Sequence, residues 1–244
     1  MNQNLQKMRR LGLREFRQSL VGLSVITSFL IILFAGDVMG QTSSREKSRS
    51  DVKFSPPESP EFSRHVLPIL SKLGCNSGAC HGALAGKGGF RLSLNGYNPK
   101  GDHFTITQQA LGRRVEISDP GRSLILTKPT GALPHKGGLR LKTDSVEYQI
   151  LSNWIAEGAV GPDTTDAQLT KLEVKPAKIV LSPGESAQVS VFAHYSDGKK
   201  ENVSRWAKFN SSNTPVVDID QSGTLSVSSP GEASIVVWLA KMEK

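Results

Sequence analysis

The chain has 244 residues, enough for one large or two modest domains, and its 30 Lys and Arg against 22 Asp and Glu give a formal net charge of +8. Residues 1–40 hold a surplus of three bases, so the remainder carries about +5 with both signs interspersed. That balance reads as a solvated mixed surface and excludes a nucleic-acid patch, since no run of bases interleaved with aromatics follows residue 40.

Met1 to Gly40 reads as an export signal. Lys7, Arg9, Arg10, Arg14 and Arg17 precede an apolar stretch from Leu20 to Ala35, and Val38 and Gly40 fill the −3 and −1 positions for cleavage before Gln41. The stretch falls short of the roughly 20 residues of a spanning helix, so a cleaved signal peptide is expected, with an uncleaved anchor as the alternative. Either places the rest beyond the cytoplasmic membrane, in the periplasm or at the cell surface. The membrane is touched only through this segment.

Residues 41–60 are polar, with Pro56, Pro57 and Pro60, and read as a disordered tether. Ser59-Pro60-Glu61 has the form of a helix start with Ser as N-cap. Phe62, Val66, Ile69, Leu70 and Leu73 follow at helical spacing, with Pro68 expected to kink or split the helix.

Gly74 delivers this helix to the only two cysteines, in Gly74-Cys75-Asn76-Ser77-Gly78-Ala79-Cys80-His81-Gly82. C-x-x-C-H is the attachment signature of c-type haem: two thiols add across the porphyrin vinyl groups and the adjacent imidazole binds iron. Here four residues separate the cysteines, so the loop must bulge; all four are small, and Gly78 is free to take φ > 0. Covalent haem c, with Cys75 and Cys80 as thioether sites and His81 as proximal iron ligand, is the leading expectation, and the two extra residues between the cysteines are its departure from the signature.

Gly82 to Gly89 is a loop without the spacing of a phosphate cradle. Phe90, Leu92 and Leu94 alternate with polar residues as a short strand, and Asn95 to Asp102 is rich in turn residues. After a short apolar run from Ser123 to Thr127 comes the loop Leu133-Pro134-His135-Lys136-Gly137-Gly138. Asp144 to Glu157 is the clearest helix: Asp144 and Glu147 have capping-box spacing, Val146, Ile150, Leu151, Trp154 and Ile155 share one face, and Gly158 stops it.

A sixth ligand to iron is then required. After the signal the chain has one methionine, Met242 at its far end, so histidine is the better donor. His194 lies in a strand, His65 on the first helix facing the surface, and His103 beside the Asn-Pro turn. His135, in its Pro- and Gly-flanked loop, is the candidate distal ligand.

Residues 161–169 form a polar linker, and the texture then changes. Leu172 with Val174, Ile179 to Leu181, Val189 to Tyr195, Trp206 with Phe209, Val216 to Ile219, Gly223 to Val227 and Ala233 to Leu239 read as short strands at sandwich spacing. Ser196-Asp197-Gly198-Lys199 reads as a hairpin turn. The fold class is therefore multidomain: a small, mainly α cytochrome c-like domain over residues 61–160, then an all-β immunoglobulin-like sandwich over 170–244.

Two resemblances support this division. Leu-Ser-Pro-Gly-Glu at 181–185, Tyr-Ser-Asp-Gly at 195–198, Gly-Thr-Leu at 223–225 and Pro-Gly-Glu-Ala at 230–233 resemble the group 2 bacterial immunoglobulin-like domain of surface proteins. Such a module ends in one more edge strand, so an open sheet edge is expected beside Ala233–Leu239, as in a fragment of a longer chain. Residues 62–159 resemble the cytochrome c-like amino-terminal region of large secreted planctomycete proteins. The likeness rests on Gly74–Gly82, Gly88-Gly89-Phe90-Arg91-Leu92-Ser93-Leu94, Gly112-Arg113-Arg114-Val115, Asp119-Pro120, Ser123-Leu124, Lys128-Pro129-Thr130-Gly131, Pro134-His135 and Trp154-Ile155 with Gly158-Ala159. The C-x4-C-H spacing itself resembles that of some haem sites in multihaem cytochromes of sulfate reducers. These likenesses imply covalent haem at Cys75 and Cys80, with His81 proximal.

The function expected is an exported haem module for electron transfer or redox sensing on an immunoglobulin-like spacer, with a redox partner that the residues do not name. The alternative is a haem-free adhesion or carbohydrate-contact protein, its Cys75–Cys80 pair disulfide-bonded and its β-domain touching a surface polysaccharide or protein. A zinc site on Cys75, Cys80 and His81 lacks an evident fourth ligand. Hydrolytic catalysis is not expected of this chain: there is no G-x-S-x-G elbow, and Asp197, Asp218 and Asp220 fall at turns and strand ends.

Overall fold

A proline inside a helical pattern must be placed where its missing N–H costs least. In the computed structural model, which describes residues 55–240, 242 and 243, Phe62–Val66 form one π-helical turn and α1 follows over Leu67–Lys72, so that Pro68 falls in the first turn of α1. The expected split is therefore present. Ser59 is not the cap, however: its hydroxyl donates to Glu157 at 2.9 Å, and Glu61 takes the N-cap position. The expected export signal, and the tether up to residue 54, lie outside the described residues.

Phe90 to Leu94 does not form a strand. Its one β-bridge among the described residues joins Phe90 to Lys87, and the Leu92 N–H donates to the His81 carbonyl at 2.8 Å. Leu92 is nonetheless buried, while Leu94 turns outward. The turn-rich stretch from Asn95 to Asp102 runs into a helix, α2, over Pro99–Thr107, opened by Asn98, whose side chain accepts from the Gly101 N–H. The short apolar run forms α3, Leu124–Thr127, and the last helix, α4, spans Val146–Ala156. Ser145, not Asp144, caps α4 by accepting from the Tyr148 N–H, and Gly158 takes φ +94 at its end.

The β-region runs β1 Leu169–Lys175, β2 Ser186–Gln188, β3 Ser190–Tyr195, β4 Lys200–Asn202, β5 Lys208–Ser211, β6 Val217–Ile219, β7 Thr224–Val227, β8 Ile235–Leu239 and β9 Met242–Glu243. Its sheets are all antiparallel, in the orders β1-β3-β4, β2-β7-β6 and β5-β8-β9. Alternation puts Val191, Ala193 and Tyr195 of β3 inward, as the two-residue period requires. Ile179 to Leu181 forms no strand, and Val180 is 98% exposed. The edge expected to be open beside β8 is covered at one end, where Trp238 pairs with Glu243 and Leu239 with Met242.

The helical and β parts pack directly on each other, and their buried apolar side chains form one continuous cluster. His65, expected at the surface, is buried at 7% exposure between them, edge-on to the Trp206 ring.

Candidate functional site

The cysteine loop is built by backbone hydrogen bonds that fold it over the end of α1. Gly74 at φ +77 turns the chain, the Cys75 N–H reaches the Leu70 carbonyl at 2.9 Å, and the His81 N–H returns to the Cys75 carbonyl at 2.9 Å. The Gly82 N–H donates to the Ser77 carbonyl, and a Cβ at Gly82 would lie 2.1 Å from the Asn76 carbonyl oxygen. Gly82 is thus the residue that permits the loop to close. Gly78, whose freedom to take φ > 0 looked useful, is not in that region; Gly74 carries the left-handed turn instead. Asn76 is fully buried and donates to the Ser71 hydroxyl at 2.7 Å.

This loop forms one wall of a cavity of about 1030 Å³, at the upper end of ligand-sized pockets, which run to roughly 1,000 Å³. Cys75, Cys80, His81 and His135 all line it. Its apolar floor comes from Leu70 and Leu73 of the first helix, Phe90 and Leu92, Leu124 and Ile125 of α3, and Leu141 and Leu151. Both cysteines are free thiols, and burial, reinforced by Cys80 nearby, pushes the Cys75 thiol up to about 12. Cys75 is therefore a protonated thiol at neutral pH.

The rings of His81 and His135 lie with centres 6.4 Å apart and planes 13° from parallel. His81 donates from Nδ1 to the Phe90 carbonyl at 3.0 Å, and His135 bonds from Nδ1 to the Gly138 carbonyl at 3.0 Å. A neutral ring that donates from Nδ1 carries its lone pair on Nε2, the arrangement that a carbonyl bonded to the far nitrogen imposes on metal-ligating histidines. Burial lowers the pKa of His81, and the adjacent His135 acts in the same direction, while bonds to the Phe90 and Lys87 carbonyls oppose them. The balance favours the neutral ring, the form in which an imidazole can bind a metal.

These residues fit a covalent haem better than a bare metal ion. Among the described residues no three His, Cys, Asp or Glu side chains converge as a metal-binding group, whereas zinc in a structural site asks for about four. A haem iron would need only two donors from the protein. His81 and His135, with ring centres 6.4 Å apart, would be the imidazoles to hold such an iron, which would supply a one-electron couple.

Sequence reasoning brought these four side chains together and missed the rim around them. Lys87, Arg113, Arg114, Lys128, Lys136 and Arg140 line the cavity, and no Asp or Glu among the described residues does. They come from scattered positions in a chain whose charges alternate in sign, so no local run announces them. The other histidines lie elsewhere: His103 bonds through Nε2 to the Ala159 carbonyl at 2.7 Å, and His194 to Glu173 at 2.8 Å.

The β-region, none of whose described residues lines the cavity, has its hairpin turn at Tyr195–Lys200 and further turns at Ser182–Glu185 and Asp220–Thr224. Residues 168–243 match the family model of the bacterial Ig-like domain (group 2). The helical part lies outside that match. No curated protein matches the chain. The Ig-like domain grips the first helix through Arg64 and Lys72. Arg64, only 3% exposed at its side chain, reaches Glu201 at 2.7 Å and Asp197 at 3.3 Å and lies 4.0 Å over the Tyr195 ring. Lys72 donates to the carbonyls of Ala207 and Gln221, and Arg205 pairs with Glu147 of α4. The Ig-like domain thus holds the first helix and α4, two of the three helices whose residues floor the cavity.

Proposed function

We propose that the chain is an exported c-type haem module that passes single electrons or senses redox state, with the Ig-like domain as its surface-facing support. The observation that carries this reading is the pairing of two free thiols and two Nδ1-tethered imidazoles around one apolar, cation-rimmed cavity. When bound there, a haem supplies a one-electron iron couple. The chain's own residues do the rest. Cys75 and Cys80 fix the group to the loop, His81 and His135 hold the iron through Nε2, and the Phe90 and Gly138 carbonyls orient the rings. Leu70, Leu73, Leu92 and Leu151 exclude water from the porphyrin face.

An exported location suits this chemistry and rests on the amino-terminal signal read from the sequence together with the match to the bacterial Ig-like domain (group 2). No helix among the described residues is long and apolar enough to cross a membrane.

A pyridine haemochrome spectrum on the full chain, produced with a cytochrome c maturation system, tests the reading. One covalent haem per chain is expected, low-spin, and lower in potential than a His/Met cytochrome because imidazole is the stronger donor. His81→Ala abolishes loading, and His135→Ala converts the spectrum to high-spin. A colourless product with Cys75 and Cys80 bonded to each other overturns the proposal and leaves a haem-free adhesion scaffold.

A further inference from the structure

The six cations around the cavity are not equivalent. Arg114 is spent on the fold: its guanidinium donates to the carbonyls of Thr105, Gln109 and Gly89 and lies 4.7 Å over the Phe90 ring. Lys87 donates to the Ala79 carbonyl and Lys128 to the Pro134 carbonyl, so both brace loops. The remaining three face the cavity with donors to spare. Arg140 uses only Nε, on the Gly137 carbonyl at 2.8 Å, which leaves both terminal NH2 groups open. Arg113 and Lys136 make no hydrogen bond or ion pair with any described residue.

Cations gathered on one cavity without a carboxylate among them repel one another, and a protein tolerates this where an anion is expected. Two arginines can each present a planar fork that matches a carboxylate bidentately, which a lysine cannot. A haem bears two propionate carboxylates, the anions that such forks would take. We infer that Arg113 and Arg140, assisted by Lys136, are the positioning residues that pair with those carboxylates and set both the orientation of the group and its reduction potential. This rests on the haem reading above. A cation held beside the haem favours the reduced state, which carries one positive charge fewer, and lowers the pKa of the propionate it pairs with.

The test is the midpoint potential of the full, haem-loaded chain as a function of pH, for wild type, Arg113→Gln, Arg140→Gln and Arg140→Lys, with Lys142→Gln as an exposed control that does not line the cavity. Each Arg→Gln variant is expected to load haem yet be about tenfold harder to reduce, a fall of about 59 mV for one electron, with the pH-dependent step of the potential displaced upward. Arg140→Lys keeps the charge and loses the bond to Gly137; it should recover most of the potential. If it behaves as Arg140→Gln does, Arg140 acts only by bracing the His135 loop, and the inference falls for it. Haem-loaded Gln variants whose potential and pH profile match Lys142→Gln overturn the inference while the haem reading stands. A wild type without a haemochrome band overturns both.

Discussion

Gly82 and Gly78 sit four residues apart in the same loop and differ in what surrounds them. A methyl group at Gly82 meets the Asn76 backbone at 2.1 Å, where only a backbone shift relieves the clash. Nothing lies within 4 Å of a methyl group at Gly78, and its φ is outside the left-handed region. Gly82→Ala should therefore cost about 3 kcal/mol, the scale of overpacking against rigid backbone, and reduce haem loading because the His81 ring moves with the loop. Gly78→Ala should stay within about 0.5 kcal/mol of wild type. Denaturant unfolding of the two variants checks this; equal costs would mean that the loop is plastic and that Gly82 is not its closing residue.

At the level of elements, the sequence was most legible where one face is buried and least where polar interactions alone hold a segment. α4 and the β-strands declare themselves because Ile150, Leu151, Trp154 and Ile155, or Val191, Ala193 and Tyr195, must reach the core. α2 buries only Asp102 and Ile106, so no periodicity betrays it; the Asn98-Pro99 pair was its sole signal, and that pair also starts turns. Phe90 to Leu94 alternates like a strand and Leu92 packs inward, yet its one β-bridge among the described residues, from Phe90 to Lys87, does not extend into a ladder. His65 shows the same limit: its burial comes from a domain contact that one helix's pattern does not contain. There its Nδ1 accepts the Glu61 N–H at 3.0 Å, and its pKa falls to about 4, chiefly through burial and also through Arg64 and Lys199, with Glu201 opposing. A histidine whose folded pKa lies below its ordinary value of 6.5 is protonated first in the unfolded chain. Stability therefore holds above pH 6.5 and is lost as pH falls from there to about 4, by about 2 kcal/mol between pH 7 and 5. His65→Gln preserves an acceptor without a titrating group and should remove that part of the pH dependence. Identical stability slopes for wild type and His65→Gln over this range would show that other groups govern it.

Over the whole molecule, the Ig-like domain is part of what holds the cavity in shape. A polar linker between two modules suggests independent bodies, whereas Arg64, Lys72 and Arg205 cross from the helices to the β-region or back, and the buried apolar cluster is continuous between them. Arg64 carries much of this contact: its charge is buried, and three carboxylates, Glu61, Asp197 and Glu201, stand within 3.7 Å. Those carboxylates are themselves about a third exposed and will rehydrate once the guanidinium is gone, so Arg64→Ala should cost about 2 kcal/mol, below the 3–5 kcal/mol of a fully buried pair. The cost should be shared. In native-state hydrogen exchange the amides of α1 and those of β3 are expected to open with the same free energy in wild type, and Arg64→Ala should lower both by the same amount, because neither element opens without disrupting the common core. Were α1 to weaken while β3 kept its wild-type protection, the two parts would be folding units in their own right. The cavity's geometry would then belong to the helices alone.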